Sequence, residues 1–269
     1  VGANLTGGTL GVGTSITTTT VAPDGTTNIY LYYDRNEYTL TLEKNEYIET
    51  VTGAGTYKWG ATVAINATVK TNITGYNASV WDKWTLTEGN GVTVPTTIKG
   101  NIVMTAGNIT IVANAVKGTP ITYSVVYNGN GATGGTTASS THTYDKAQNL
   151  TLNGYERQYA VTFNENYEGS TNQTAKSTYA FKDWNLKNDG TGNAYTNGQS
   201  VTNLTSTNNG TVTLYAMWDN TVGSAKVTLP TLTRANYVFE GWYKEQATTT
   251  LVGTAGNKYT PSGNITLYA

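Results

Sequence analysis

The chain has 269 residues, 16 Lys+Arg against 17 Asp+Glu for a formal net charge of −1, and a charged fraction of 12%, about half the roughly 25% usual in soluble domains. Cysteine is absent and histidine occurs once, which excludes disulfide scaffolds, iron–sulfur clusters, Cys-based zinc sites and Cys/His catalysis. A near-neutral chain without a basic run also argues against nucleic acid, whose affinity rests on Lys and Arg at the phosphates.

The positive signal is 20 Tyr against 3 Phe, 30 Gly and a large excess of Thr and Asn. That profile suits many short strands joined by tight turns. Length alone suggests about two domains, and several small cores fit this composition better than one large one. No apolar run approaches the roughly 18 residues that would span a bilayer, and no charged start followed by an apolar stretch reads as a secretion signal. The chain opens at Val1, so a mature protein or a fragment is expected.

In chain order, residues 1–36 read as the closing strands of a truncated or strand-exchanged module. They hold the threonine-rich stretch Thr14–Val21 and Asn28-Ile29-Tyr30-Leu31-Tyr32-Tyr33, a loose copy of a motif written in full three times further on. Residues 37–117 form a first complete module. It opens on the alternating segment Tyr38-Thr39-Leu40-Thr41-Leu42, carries Trp81 and Trp84, and closes on Gly107-Asn108-Ile109-Thr110-Ile111-Val112-Ala113.

Residues 118–219 form a longer second module. It opens on Tyr123-Ser124-Val125-Val126-Tyr127, followed by Asn128-Gly129-Asn130-Gly131, where Asn-Gly supplies the positive φ values of a type I′ hairpin turn. Asp145–Leu150 could make about one turn of helix. An extra strand, Tyr159-Ala160-Val161-Thr162-Phe163, reads as part of an inserted hairpin ahead of the aromatic pair Phe181/Trp184. The module closes on Gly210-Thr211-Val212-Thr213-Leu214-Tyr215-Ala216.

Residues 220–269 are a shortened third copy that lacks the opening hairpin. It has Phe239/Trp242 and closes on Gly263-Asn264-Ile265-Thr266-Leu267-Tyr268-Ala269. In all three closing motifs, G-[NT]-[IV]-T-[IL]-[VY]-A, side chains alternate with period two: Ile109, Ile111 and Ala113 face one way, as do Val212, Leu214 and Ala216. These are half-buried strands of mostly antiparallel sheets with one wet face. The fold class expected is all-β, a tandem of small elongated modules with little or no helix.

Candidate chemistry is sparse. His142, in the alternating polar segment Ser140-Thr141-His142-Thr143-Tyr144, reads as a surface histidine, and no G-x-S-x-G nucleophile turn occurs. Glu43, Glu46 and Glu49 could be imagined as glycosidase carboxylates but read as a solvated turn. Asn188-Asp189-Gly190-Thr191-Gly192-Asn193 is oxygen-rich yet lacks the alternate acids and closing Glu of a calcium loop, so a hairpin loop is expected. Trp59, Trp81, Trp84, Trp184, Trp218 and Trp242 recur in or beside the repeated motifs, which favours core packing over a sugar platform. Outer-face tyrosines such as Tyr215 and Tyr268 are freer for contacts. Sequons such as Asn66, Asn108 and Asn264 allow glycosylation without predicting it. Lys–Asn cross-links would supply covalent strength that disulfides cannot. No catalytic, cofactor-binding or metal-ligating residue is assigned.

Tyr-x-Phe-x-Gly-Trp-Tyr at 237–243, followed by Tyr-Thr-Pro-x-Gly-Asn-Ile-Thr-Leu-Tyr-Ala at 259–269, resembles the internalin-B-type B-repeat, also called the Listeria–Bacteroides repeat. Residues 37–117 resemble its divergent branch through Gly55-Thr56-Tyr57-Lys58-Trp59-Gly60 and Met104–Ile111. The first module departs from the pattern, with Val80-Trp81 where the others have Tyr and Phe. The resemblance implies β-grasp-like modules strung in tandem on large secreted or wall-attached bacterial proteins. It also implies a Trp two residues after the final Ala, which Ala216-Met217-Trp218 obeys, so Ala269 reads as a cut. The function expected is a non-enzymatic extracellular stalk or fibre segment whose partners are neighbouring modules or subunits of the same protein. The alternative is a glycan- or host-protein-binding adhesin module. No cofactor and no nucleic acid are expected.

Overall fold

The computed structural model describes residues 8–10 and 33–269, so the expectations for Thr14–Val21 and Asn28–Tyr32 lie outside the described residues. Two units meet in sequence at Thr119 and Pro120.

The first unit holds β1 (Gly8–Leu10), β2 (Tyr33–Arg35), β3 (Glu37–Lys44), β4 (Ile48–Thr52), β5 (Gly55–Lys58), β6 (Thr62–Val69), β7 (Val80–Glu88), β8 (Lys99–Val103) and β9 (Ile109–Val116). β1 and β2 pair with each other; the remaining strands form a sheet in the order β5-β3-β9-β7 and a second in the order β4-β6-β8. One core joins the two sheets: Leu40, Trp84, Ile109, Ile111 and Ala113 from the first meet Ile48, Val63, Ile65 and Ile102 from the second. Alternation explains the arrangement, since every second residue of β9 from Ile109 to Ala115 is buried while its neighbours are half-buried. Burying each such Ile or Leu stabilises the fold by about 1.5–3 kcal/mol.

The second unit holds β10 (Thr122–Asn128), β11 (Gly134–Gly135), β12 (Ser140–Thr143), β13 (Gln148–Asn149), β14 (Tyr155–Asn164), β15 (Gln173–Asn185), β16 (Ala194–Tyr195), β17 (Ser200–Val201), β18 (Thr211–Asp219), β19 (Val227–Thr228), β20 (Trp242–Tyr243), β21 (Leu251–Gly253), β22 (Lys258–Tyr259) and β23 (Ile265–Tyr268). One sheet runs β12-β10-β18-β15-β14-β23-β20-β21, and β13-β17 and β19-β22 form small separate pairs. Two cores lie along it. One gathers Tyr123, Val125, Trp184, Leu214 and Ala216; the other gathers Val161, Phe163, Leu229, Trp242 and Leu267.

The extra strand at 159–163 is the middle of β14, and it lies beside β23: Val161 pairs with Ile265 and Phe163 with Leu267, in parallel. Leu40 and Val125 bear the same relation to Ile109 and Val212. The hairpin absent from 220–269 in sequence is therefore present in space, supplied from within 118–219. β15 is common to both cores. Its first half, Gln173–Tyr179, pairs with β14, and its second half, Ala180–Asn185, pairs with β18.

Two local expectations are corrected. Asn130 and Gly131 do take positive φ, at 46° and 86°, but the strand that returns on β10 is β12, with Val125 opposite Ser140. The chain between makes a side excursion that lays Gly134–Gly135 along β14. Glycine is needed there because a Cβ on Gly135 would stand 2.0 Å from the Gly154 carbonyl oxygen. Asp145–Leu150 is a turn running into β13 rather than helix, since Asp145 takes φ 56°. Among the described residues the helical segment is the 3₁₀ turn Gly223–Ala225.

Candidate functional site

Each core is built around one indole. Trp84, Trp184 and Trp242 are all buried, and the final Ala of the closing motif lies directly across from the indole in two of the copies: Trp84 opposite Ala113, Trp184 opposite Ala216. A small residue is required there because the ring occupies the space a larger cross-strand side chain would fill. Trp84 donates from Nε1 to the Thr97 carbonyl at 3.1 Å and Trp242 to the Pro230 carbonyl at 2.8 Å.

The i, i+3 spacing of the aromatic pairs looks wrong for a strand, where i and i+3 face opposite ways. A β-bulge resolves it. One extra residue, Asp82 in β7 and Lys182 in β15, shifts the register between Trp81 and Lys83 and between Phe181 and Asp183. The paired rings then share a face, with centroids 5.3 Å apart for Trp81/Trp84, 4.9 Å for Phe181/Trp184 and 5.6 Å for Phe239/Trp242.

Asparagines lock the repeated geometry. Asn108 Oδ1 accepts from the Thr39 amide and Asn264 Oδ1 from the Ala160 amide, each tying a closing motif to its opening strand. At the other end Asn45, Asn130 and Asn166 donate to the carbonyls of Ala115, Ala216 and Ala269. These bonds give Asn45, Asn108, Asn130, Asn166 and Asn264 a structural role beyond loop polarity.

His142 is not on the surface: its relative exposure is 0%. It stacks on Tyr123 with centroids 5.6 Å apart, and its Nε2 lies 3.0 Å from Ser140 Oγ while Nδ1 has no hydrogen-bond partner. Burial lowers its pKa below the ordinary 6.5. A base held neutral in the folded state contributes fully above the unfolded pKa and less as pH falls through it, because the unfolded chain then takes up a proton that the folded chain refuses. The urea midpoint of the second unit is therefore expected to drop as pH is lowered from 7.5 through 6.5. His142→Gln should flatten that part of the profile, leaving only the carboxylate titrations at lower pH.

The other sequence candidates stay apart from one another. Glu43, Glu46 and Glu49 are exposed around the β3–β4 turn. Asp189 accepts from the amide and hydroxyl of Thr191 in the β15–β16 hairpin loop, which holds its carboxyl below the usual range. Trp59 is 42% exposed and does not join a core, whereas Trp81 and Trp218 are half-buried, as are Tyr215 and Tyr268. Among the described residues the buried polar side chains are Ser79, His142, Ser177 and Asn185, so a Lys–Asn cross-link finds no buried lysine there. No cluster of three His, Cys, Asp or Glu suited to a metal ion occurs among the described residues.

A concave aromatic surface does exist, at the end of the second unit. A cavity of about 240 Å³ is lined by Glu165, Tyr167, Leu232, Arg234, Phe239 and Ala269, among others. The Arg234 guanidinium lies 4.4 Å from the Tyr167 ring centre and 4.1 Å from that of Tyr237. Tyr237 and Val238 are 65% and 89% exposed. The Tyr167 hydroxyl, hydrogen-bonded to Glu165, has its pKa raised. Exposed rings, partly buried apolar side chains and one cation therefore meet on this surface. The sequence places Tyr237 and Phe239 in one motif, but nothing in it signals that Tyr237 is exposed while Phe239 is half-buried against the core.

Residues 206–269 match the sequence profile of the Listeria-Bacteroides repeat domain. No curated protein and no solved structure matches the chain. The matched stretch runs from just before β18 to the end of β23 and carries two of the three closing motifs. That stretch is similar to the repeat of that family, which is associated with bacterial surface proteins.

Proposed function

We propose that the chain is a non-enzymatic extracellular segment of a bacterial surface protein, a stalk or fibre portion whose modules space or present an adhesive region. The observation that supports this reading most is the threefold recurrence of one packing unit: parallel first and last strands, a buried indole, and an asparagine donating to a carbonyl near the end of the last strand. Residues that recur at the same place in every copy serve each copy's own core, and an array of such units gains reach additively. Neighbouring modules or subunits of the same protein are its partners, joined by strand addition at open edges.

The competing reading, a glycan- or host-protein-binding module, is favoured by the exposed rings of Tyr167 and Tyr237. A replacement experiment separates the two. In the parent surface protein, deleting residues 37–269 should reduce adhesion severalfold, and unrelated folded modules of equal length should restore it. Adhesion that stays lost after such replacement would sink the stalk reading and favour a binding face.

A further inference from the structure

Each closing motif lies in parallel beside its module's opening strand, and that pairing decides how a pull along the chain is resisted. In the first unit β3 and β9 run side by side from Leu40 opposite Ile109 to Lys44 opposite Ala113. The chain enters β3 at Glu37 and leaves β9 at Val116, so tension drags the two strands past each other along their length. Every hydrogen bond between them is then strained at once, whereas pulling two neighbouring strand ends apart opens the bonds one after another.

The second unit follows the same geometry across more strands. β10 and β18 are parallel, β18 and β15 antiparallel, β15 and β14 antiparallel, and β14 and β23 parallel. The two reversals cancel, so β10 and β23 point the same way. A pull on the N-terminal end of β10 and the C-terminal end of β23 therefore also shears the sheet.

Asparagines just outside the strands lengthen these parallel ladders. Ahead of Leu40, the Thr39 amide donates to Asn108 Oδ1 at 3.0 Å; beyond Lys44, Asn45 Nδ2 donates to the Ala115 carbonyl at 2.7 Å. In the third module the Ala160 amide donates to Asn264 Oδ1 at 2.8 Å and Asn166 Nδ2 to the Ala269 carbonyl at 3.1 Å. Each bond ties an opening segment to a closing one, the two parts that tension would separate.

We propose that these parallel pairs are tension clamps: the modules bear pulling force along the chain, and the asparagines at the ladder ends share it with the backbone. This rests on the stalk reading for its biological setting. Its test is made on the isolated protein, so the clamp can fail while the stalk reading holds, and can hold in a binding module.

Forced unfolding is governed by the unfolding rate rather than by equilibrium stability. The chain has no cysteine, so two introduced thiols in the full chain fix the pulling axis in single-molecule force spectroscopy. Glu37→Cys with Lys117→Cys loads β3 and β9 in shear. Glu37→Cys with Ala106→Cys, exposed positions at the same end of the pair, unzips them. The shear form should unfold at a severalfold higher force at equal pulling speed. Asn45→Ala should speed unfolding in shear about fivefold, the equivalent of one net hydrogen bond, and change the unzipping form little, because Asn45 lies at the far end. Asn108→Asp keeps the acceptor for the Thr39 amide and should resist shear as the parent does, whereas Asn108→Ala should not. Ile65→Val, in the core of the other sheet, supplies a loss of stability away from the pair and should leave the shear force nearly unchanged. Equal forces in the two geometries would overturn the proposal. So would an Ile65→Val protein that weakens in shear as much as Asn45→Ala at a matched loss of melting temperature.

Discussion

Trp184→Ala and Trp242→Ala are each expected to destabilise residues 120–269 by about 3–5 kcal/mol, and to do so in the same unfolding transition, whereas Trp84→Ala should lower only the transition of residues 1–119. The size follows from burial: Trp184 and Trp242 are 0% exposed and are the largest fully buried side chains among the described residues. Against a domain stability of about 5–15 kcal/mol, either substitution removes a large share. That the two act on one transition follows from β15, half of which belongs to each core. Side-chain bonds fasten the same strand to the third module: Ser177 Oγ donates to the Ala225 carbonyl at 2.7 Å, and the Tyr179 hydroxyl donates to that of Pro261 at 2.6 Å, both buried. Neither core can lose its portion of β15 without fraying the other's. Calorimetry should resolve two transitions in the intact chain, and limited proteolysis should yield two fragments meeting near residue 119. Three transitions, or a Trp184→Ala protein whose β23 amides keep full protection against hydrogen exchange, would show that the two cores unfold separately.

Much of this architecture is legible in the sequence. The period of two in the closing motifs assigns Ile109, Ile111, Leu214 and Ala216 to the interior, and recurrence assigns Trp84, Trp184 and Trp242 to cores; both inferences are local or statistical and need no knowledge of strand partners. What escaped is non-local or positional. The β14–β15 hairpin has ordinary hairpin sequence, and nothing in Val161 or Phe163 says that their parallel partner is a strand about a hundred residues later. The polar neighbours of His142 signal an exposed strand, yet β12 packs that one side chain against Tyr123. Trp59 shares its type with the buried indoles but lies just past the end of β5, outside the repeated register. The bulge, by contrast, had a usable signal: aromatic residues at i and i+3 in a chain poor in helix formers can share a face only if one residue is extra.

Phe163→Ala is expected to cost about 3–5 kcal/mol and to act on the third core although residue 163 precedes the second module's own Trp184 in the chain. Phe163 is 2% exposed and its ring lies 4.9 Å from that of Trp242, tilted by 60°. Its strand neighbour Val161 is fully buried beside Ile265. If this strand were an ornament of the second module, its loss would leave Trp242 undisturbed. Because β14 is the opening strand of the third core, truncating Phe163 instead removes one wall of the Trp242 pocket. A double-mutant cycle isolates the contact from the shared loss of cooperativity. Phe163→Ala combined with Trp242→Ala should show a coupling of about 0.5–1.5 kcal/mol, the range for aromatic pairs, while Phe163→Ala combined with Trp184→Ala, which lies in the other core, should be additive to within about 0.5 kcal/mol. Where a double mutant is too unstable to measure, Phe163→Leu and Trp242→Phe give the same comparison at lower cost. Coupling to Trp184 rather than Trp242 would return the hairpin to the second module and leave the third without its first strand.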